Sequence, residues 1–433
     1  MLHTIGGVLG YLFLVSLVIY YFNRSKDPLL SSKQIIGILA VKLIFGCIYG
    51  YLFLKVYHGD DTWLYHQESL EEYAWLKRNP WTFIVDLFTN GYNTNQSLSF
   101  FNSTNSFWKD LQYNILIKLL AIFNLFSFGD YYINTLFFNL ITFWGHLYLF
   151  KLCIRYFPSK KKILFTLIFF FPPLLFWQSG IRKDGLVFVA LTGCLYYFVL
   201  YIEEKKISSI LKVFFFLILL FLIRNFVALS LFPPFIAFVV IQKLQKKQIF
   251  LINLFSLILC VALFFATNFG PEPLRLPKKM AERQGSFLDL KGNSFMPIDP
   301  LNQNFSSYAN TFFTSLNHTF VRPYLSEGKS PLLLFAACET IFVWLLLLVA
   351  LLNRRSLALL IKDPIINLLF FTALINYILI GYTVPFAGAI VRYRVIFEVF
   401  ILIPLLIAID INNPLVRRVS KIIGLKENRG NNN

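Results

Sequence analysis

The feature that most constrains this chain is a series of apolar runs, separated by short polar segments, which recurs along nearly its whole length. Each run contains roughly 17 to 22 residues, and about 20 helical residues cross the ~30 Å hydrocarbon core of a bilayer. Charged residues make up 14% of the chain, and its mean hydropathy is +0.64. Soluble domains carry about 25% charged residues, so a single soluble globule is excluded. The sequence predicts an all-α fold, namely a polytopic bundle of transmembrane helices.

About eleven runs qualify as spans, and together they predict one integral membrane domain over residues 1–433. The predicted spans are 5–22, 35–57, 131–150, 163–179, 185–202, 209–223, 225–241, 249–268, 331–352, 364–382 and 395–411. An odd number of spans places the two ends of such a chain on opposite sides of the membrane.

The formal charge of +18 arises from 40 Lys and Arg residues against 22 Asp and Glu residues. A single basic face would suggest nucleic acid, but these cations form short clusters between the apolar runs, so we expect no nucleic-acid partner. Cytoplasmic loops are enriched in Lys and Arg, which predicts that these clusters face the cytoplasm and that the N-terminus lies outside. The clusters are Arg24, Lys26 and Lys33; Lys151, Arg155 and Lys160 to Lys162; Lys205 and Lys206; Lys243, Lys246 and Lys247; Arg354, Arg355 and Lys362; and Arg417, Arg418 and Lys421.

Two longer polar regions then face outward, and we expect them at residues 58–130 and 269–330. Within the first, the apolar stretch 111–128 carries Lys118 and has a helical stripe, which favours an interfacial helix lying in the membrane plane. If this stretch crossed the membrane instead, the orientation of everything before it would be inverted.

An acidic pair, Asp60 and Asp61, follows the second predicted span directly, in HGDDTWLYHQES (58–69). Two carboxylates at the outer membrane surface can take a proton from an incoming hydroxyl, or they can hold a divalent cation. The alternative is that they are simply the solvated start of a loop. The chain contains no glycine-rich phosphate loop, which argues against an ATP-driven pump.

Several basic residues lie at predicted outer turns, where the positive-inside rule disfavours them. An anion such as a lipid-linked phosphate is a natural partner for cations there, and the alternative is pairing with Asp184 and lipid headgroups. The residues are Arg182 and Lys183 in WQSGIRKDGLVF (177–188), Arg224 at the next turn, and Arg392 and Arg394 in VRYR (391–394). Together they predict an anion site opposite the acid pair.

Two glutamates, Glu339 and Glu398, lie inside predicted spans, where an ionisable side chain is costly and is usually paired or functional. Glu398 lies four residues after Arg394, so we expect an ion pair on one helix face. Glu339 has no obvious local partner and fits either structural pairing or a site. The pair Pro172 and Pro173 should bend its helix and free backbone carbonyls that need other partners.

The residues GDD (59–61) and the outer cations resemble the polyprenyl-phosphate-dependent glycosyltransferases of the C-type membrane fold (GT-C). The resemblance implies that Asp60 or Asp61 is a catalytic base or a metal-linked group in the first outer loop. It also implies that the donor phosphate is held by Arg182 and Lys183, with Arg224 or Arg392 as further candidates. The stretch 111–128 would correspond to the membrane-surface helices of that family.

The resemblance implies a hexosyltransferase in a bacterial inner (plasma) membrane, with its active site facing outward. Its donor would be a polyprenyl-phosphate-linked sugar, its surroundings membrane lipids, and its acceptor a glycan, a lipid or a protein; the only candidate cofactor is a divalent cation. The segments SGIRKDGL (179–186) and VRYRVI (391–396) resemble Wzy or EpsG-like polysaccharide polymerases about as well. Those polymerases do not require a carboxylate in the first loop. A transporter or flippase for an anionic lipid-linked substrate is the third alternative.

Overall fold

The computed structural model of the chain describes residues 2–23, 29–88, 106–244, 248–290 and 292–409. These residues are all-helical apart from turns, irregular connections and one isolated antiparallel bridge between Phe295 and Phe386. Seven of the basic residues assigned to cytoplasmic clusters lie outside the described residues: Arg24, Lys26, Lys246, Lys247, Arg417, Arg418 and Lys421.

The helices belong to two compact units, which are described separately. Unit 1 comprises Met1–Ser230, Leu263–Ser286 and Asn302–Phe305, and unit 2 comprises Leu231–Ala262, Phe287–Leu301 and Ser306–Asn433. The single membrane domain that the sequence predicts over residues 1–433 stays a prediction.

The helices up to residue 230 are α1 (Leu2–Phe22), α2 (Ser32–Lys55), α3 (Asp61–Arg78), α4 (Pro80–Val85), α5 (Phe107–Ser127), α6 (Tyr131–Tyr156), α7 (Lys161–Phe170), α8 (Pro172–Ser179), α9 (Lys183–Glu204) and α10 (Ile207–Ser230). The later helices are α11 (Phe232–Lys243), α12 (Ile249–Ala266), α13 (Leu276–Leu288), α14 (Phe305–Leu316), α15 (Pro331–Leu352), α16 (Arg354–Ile361), α17 (Pro364–Thr383) and α18 (Ala387–Ala408). A π-helical turn, Asn317–Val321, follows α14 directly.

Among the described residues, eight helical segments are long and apolar enough to cross a membrane, or nine if one bent pair is a single span. They are Thr4–Phe22, Ser32–Lys55, Tyr131–Tyr156, Lys183–Glu204, Ile207–Ser230, Ile249–Phe269, Pro331–Leu352 and Pro364–Thr383, and the bent pair is Pro158–Phe170 with Pro172–Ser179. By length and composition these are the helices of a membrane protein, but the predicted count of about eleven is not confirmed.

If the bent pair counts as one span, two predicted spans account for the remaining difference in number. The predicted boundary at Arg224 is a break inside one helix, α10, and Arg224 itself has non-helical dihedral angles. Consequently the predicted span 225–241 is divided between the end of α10 and α11, which has 12 residues and is too short to cross a bilayer alone. The last predicted span falls in α18, which carries Arg392, Arg394 and Glu398 and is not among the eight.

The bend between α7 and α8 occurs at Pro172, as the sequence predicts, and it measures 42°. Proline has no N–H group, so Ile168, four residues earlier, loses its helical donor. The carbonyl oxygen of Ile168 instead lies 2.7 Å from Nδ1 of His146 on α6. The other ring nitrogen of His146 lies 3.3 Å from Nζ of Lys42 on α2. A buried imidazole therefore satisfies the carbonyl that the proline leaves open.

The first region that the sequence predicts to face outward contains α3, α4 and α5 among its described residues, and α5 packs along α3. Helix α5 covers nearly all of the predicted interfacial stretch 111–128, but Lys118 does not face solvent, since it is only 3% exposed. Its ammonium lies 2.8 Å from a carboxylate oxygen of Glu72 and 3.1 Å from one of Asp86. The charge of Lys118 therefore holds α5 to the helices around it, while the predicted orientation of α5 in the membrane plane stays a prediction.

Candidate functional site

A cluster of charged side chains lies where the end of α2, the start of α3 and the turn between α8 and α9 meet in unit 1. The chain reverses after α2 through Gly59, whose φ of 131° favours glycine over residues with a side chain. Asp60 follows in an extended conformation at the N-cap position of α3, but its side chain makes no capping hydrogen bond. An N-cap aspartate usually accepts from the helix backbone, so the carboxylate of Asp60 is directed to other partners.

The turn after α8 is held by α2 and α6. Asn139 on α6 donates from Nδ2 to the carbonyl oxygen of Ser179 over 3.0 Å. A Cβ atom at Gly180 would lie 2.5 Å from the ring of Tyr49, so only glycine allows Tyr49 to pack this closely against the turn. This packing places Arg182, two residues later, beside the Tyr49 hydroxyl.

Arg182 is the centre of the cluster and is 3% exposed. Its Nη1 atom donates to the hydroxyl oxygen of Tyr49 over 2.7 Å and to Oδ2 of Asp60. Its Nη2 atom donates to Oδ2 of Asp61 over 2.7 Å, and the Tyr49 hydroxyl donates to Asp60 over 2.9 Å. One guanidinium thus joins both acidic residues that the sequence singles out, which fixes their positions by charge-assisted hydrogen bonds.

A second ion pair extends the cluster. Arg224, at the break in α10, lies with its Nη2 atom 2.8 Å from Oδ1 of Asp184 in the first turn of α9. The other carboxylate oxygen of Asp184 lies 3.8 Å from Nε of Arg182. The break in α10 therefore brings Arg224 to the same group, but both guanidinium groups are already paired with carboxylates. Pairing with Asp184 is what the alternative interpretation of the cations expects.

Lys183 differs from these two arginines. No oxygen of the described residues forms a hydrogen bond or an ion pair with its ammonium. The ammonium instead lies over two aromatic rings, 5.8 Å from the centre of Tyr65 on α3 and 5.2 Å from that of Tyr113 on α5. Lys109 and Arg224 are near enough to repel the ammonium electrostatically, and Asp61 and Asp184 are near enough to attract it. The ammonium of Lys183 can therefore still donate hydrogen bonds to an anion.

The two acidic residues differ in their access to water. The side chain of Asp60 is 16% exposed and that of Asp61 is 53% exposed. Burial raises the pKa of Asp60 above its ordinary value, although the neighbouring Arg182 opposes the shift. Asp61 is the carboxylate that an incoming hydroxyl can reach, and Asp60 is the one enclosed by Tyr49 and Arg182.

The described residues do not fit a divalent cation at Asp60 and Asp61. One oxygen of each carboxylate is already bonded to Arg182, whose positive charge would repel a metal ion. Within the described part of the chain, no group of three His, Cys, Asp or Glu residues is arranged to hold a metal. His66, which is close in sequence, packs edge-on against Trp63 and Tyr131 instead.

The remaining two predicted phosphate-binding residues, Arg392 and Arg394, belong to α18 in unit 2. Arg394 is 2% exposed and donates to the carbonyl oxygens of Thr319 and Arg322 and to the Thr340 hydroxyl. Arg392 donates to the hydroxyl of Tyr393 over 2.7 Å. An anion at Arg394 would have to displace main-chain acceptors, so the described contacts of Arg394 are those of a structural residue.

Sequence reasoning missed three tyrosines of this site. Tyr49 lies within a predicted span, where a tyrosine is usually a packing residue, and its depth near the end of that span was the available signal. Tyr65 and Tyr113 lie on two helices whose pairing the sequence does not reveal. The comparisons add no family, because no family model, no curated protein and no solved structure matches this chain.

Proposed function

We propose that the charged cluster of unit 1 is the reaction site of a membrane glycosyltransferase. Its donor is a polyprenyl-phosphate-linked sugar, and its acceptor is a hydroxyl group on a glycan, a lipid or a protein. The observation that carries the proposal is the joint binding of Asp60 and Asp61 by Arg182. These residues come from turns more than a hundred positions apart and meet at the ends of membrane-crossing helices.

In this mechanism Asp61 is the general base, since its side chain is the more exposed of the pair. The proton of the acceptor hydroxyl passes to Asp61 as the new bond from oxygen to the sugar carbon forms. The bond from that carbon to the phosphate oxygen breaks, and polyprenyl phosphate leaves. Arg182 donates to both carboxylates and Tyr49 donates to Asp60, which holds Asp61 in position for the acceptor hydroxyl.

The phosphate of the donor is assigned to Lys183. Negative charge grows on the leaving phosphate in the transition state, and a nearby ammonium stabilises that charge. The rings of Tyr65 and Tyr113 flank Lys183 and offer a flat apolar surface to the sugar. Arg224 supports this arrangement through Asp184, which lies at the start of the same helix as Lys183.

The orientation of the site toward the outside is part of the proposal, as is a bacterial plasma membrane with about eleven spans. The outward orientation is supported by the charges at the other ends of the unit 1 helices. Arg155 at the end of α6 pairs with Glu203 and Glu204 at the end of α9, and Lys205 and Lys206 follow. This basic end of α9 is opposite Arg182, as expected if basic loops face the cytoplasm. Because the two ends of one spanning helix lie on opposite sides of the membrane, this orientation is independent of the number of spans.

The polymerase alternative uses the same site without Asp61 as a base. It is favoured by the pairing of both carboxylates with Arg182, because a carboxylate in such an ion pair can serve structure alone. In that case Lys183 and Tyr113 bind the lipid-linked repeat unit, and the variant Asp61→Asn keeps activity.

The deciding experiment supplies the purified protein in lipid vesicles with a lipid-linked monosaccharide and with a lipid-linked oligosaccharide. The transferase predicts a product longer by one sugar, whereas the polymerase predicts a ladder of repeat units. Movement of the intact lipid across the bilayer without a covalent change would indicate a flippase. Full activity of Asp60→Asn, of Asp61→Asn and of the double variant would contradict the transferase assignment.

A further inference from the structure

Unit 2 contains two carboxyl groups that face each other inside the protein. Glu339 on α15 is 6% exposed, and Glu398 on α18 is 2% exposed. The two glutamates lie on helices that pack against each other, and Arg394, four residues before Glu398, donates to the hydroxyl of Thr340, the residue after Glu339. Two ionised carboxylates are acceptors only, so a hydrogen bond between them requires a proton on one of the two.

The protein supplies no other donors that would stabilise two negative charges at this place. Among the described residues, no N–H or O–H group donates to either carboxylate oxygen of Glu339 or to Oε2 of Glu398. Arg394 is four residues from Glu398, yet the expected ion pair between them is not formed. The Nη atoms of Arg394 are taken by Thr340 and by two main-chain carbonyls in and after the π-helical turn.

Two titratable groups of the described residues interact electrostatically with the pair. They are Arg394 on α18 and Tyr377 on α17. The π-helical turn contributes the backbone oxygen of Thr319, and α15 contributes the Thr340 hydroxyl, both to Arg394. Two ionised carboxylates and one guanidinium would leave a net negative charge away from water, which costs several kcal/mol. One bound proton makes the group electrically neutral.

We propose that Glu339 and Glu398 form a proton-binding site, in which one exchangeable proton is shared between the two carboxyl groups at neutral pH. The ligand of this site is therefore the proton itself. The site lies in unit 2 and rests on observations independent of the proposed transferase. It also makes Glu339 and Glu398 targets for a lipophilic carbodiimide, since that reagent adds to protonated carboxyl groups in apolar surroundings.

The first test is infrared spectroscopy of the whole protein in lipid vesicles at pH 7. The wild type should show a carboxylic-acid C=O band that moves to lower frequency in deuterated water, and the band should be absent from Glu339→Gln and Glu398→Gln. Glutamine keeps the size and hydrogen-bonding groups of the side chain but cannot hold the proton. The control is Glu203→Gln, since Glu203 is ion-paired with Arg155 at the surface and should leave the band unchanged.

A second test needs no variant and so does not depend on how the variants fold. The wild-type protein in vesicles is treated with a lipophilic carbodiimide at pH 7, and the adduct is located by mass spectrometry. Modification of Glu339 or Glu398, with Glu203 unmodified, is the expected result. Equal bands in the wild type and both glutamine variants would overturn the proposal, and so would the absence of an adduct on both glutamates.

Discussion

Among the described residues each unit buries one arginine, and the partners of these two arginines are different. Arg182 in unit 1 is bonded to two carboxylates and a phenol, whereas Arg394 in unit 2 is bonded to main-chain carbonyls and a threonine hydroxyl. The carboxyl groups near Arg394 make no bond to it and are enclosed. Those at Arg182 are bonded to it, and Asp61 is 53% exposed.

This difference shows that the same residue types can make two kinds of centre. The carboxylates of the first centre are bonded to a guanidinium, and a carboxylate that a substrate can reach can accept a proton from it. Carboxyl groups enclosed without donors share a proton instead, which suits them to hold a proton rather than to take one from a bound hydroxyl. The contrast predicts that activity depends on the first centre and proton storage on the second.

The largest expected effect is at Asp61. Replacing Asp61 with Asn removes the base without changing its size, and transfer should fall by about 10²–10⁴-fold. Transfer is measured in vesicles with a saturating lipid-linked donor, and the amount of folded protein is measured by size-exclusion chromatography. Glu272→Gln is the control, because Glu272 is a surface carboxylate paired with Lys278 in the same unit. Equal loss in both variants would mean that the effect is not specific to the site.

The two arginines are compared next, with Arg182→Lys and Arg394→Lys. Lysine keeps the positive charge but not the forked donors of the guanidinium, so each variant loses hydrogen bonds, which are worth about 1.5–3 kcal/mol to a charged acceptor and about 0.5–1.5 kcal/mol to a neutral one. Both variants should have a lower Tm, but only Arg182→Lys should also lower the turnover of the folded fraction. A lower donor affinity in Arg394→Lys would support the phosphate-binding role that the sequence assigns to Arg394.

Lys183→Gln should have a smaller effect that appears in donor binding. Losing one charge-assisted contact to phosphate costs about 1.5–3 kcal/mol, which raises the Kd for the donor by about 10- to 100-fold. The Kd is measured by titration of the lipid-linked donor, and the stability of the folded protein should change only by the loss of the ammonium's contacts with the rings of Tyr65 and Tyr113, about 0.5–2 kcal/mol. Lys206→Gln, at the opposite end of α9, serves as the control. An unchanged Kd in Lys183→Gln would remove the phosphate assignment.

The smallest effect concerns the pH dependence of stability near the first centre. Burial lowers the pKa of His66 from 6.5 to about 4, so the folded protein binds a proton there less readily than the unfolded chain does. The contribution of His66 is fully present above pH 6.5, and it is lost as the pH falls from 6.5 toward 4. The Tm of the wild type should therefore decrease over this interval more steeply than that of His66→Phe. His58→Asn, at an exposed position, should behave like the wild type.

Much of unit 1 follows from sequence reasoning. The length of the apolar runs defines most of the spans. Asp60 follows one span and Arg182 precedes another, and the sequence places both residues on the same predicted side of the membrane. The sequence also predicts the bend at Pro172 and a free carbonyl there. These features depend on depth along a helix, and depth can be counted in residues.

The lateral position of a helix within the bundle cannot be counted in residues. Most of the differences between the sequence predictions and the structure concern this lateral position. The sequence assigns phosphate to Arg182, but the two aspartates occupy that guanidinium, because α2 packs against α8, which leads into the turn that carries Arg182. It pairs Glu398 with Arg394 from helical spacing, although α15 brings Glu339 to Glu398 instead. At Arg224 the sequence predicts a turn between two spans, whereas the structure has a break inside one helix. An arginine between two apolar runs gives the same sequence pattern for a turn and for a break.

The bend at Pro172 affects the position of the Arg182 side chain. Because the Ile168 carbonyl is satisfied by His146, the angle between α7 and α8 depends on a side chain from a neighbouring helix and not on the bent helix alone. Helix α8 leads directly into the turn that carries Arg182. The buried imidazole of His146 therefore helps to fix the angle of α8, and with it the position of the Arg182 guanidinium.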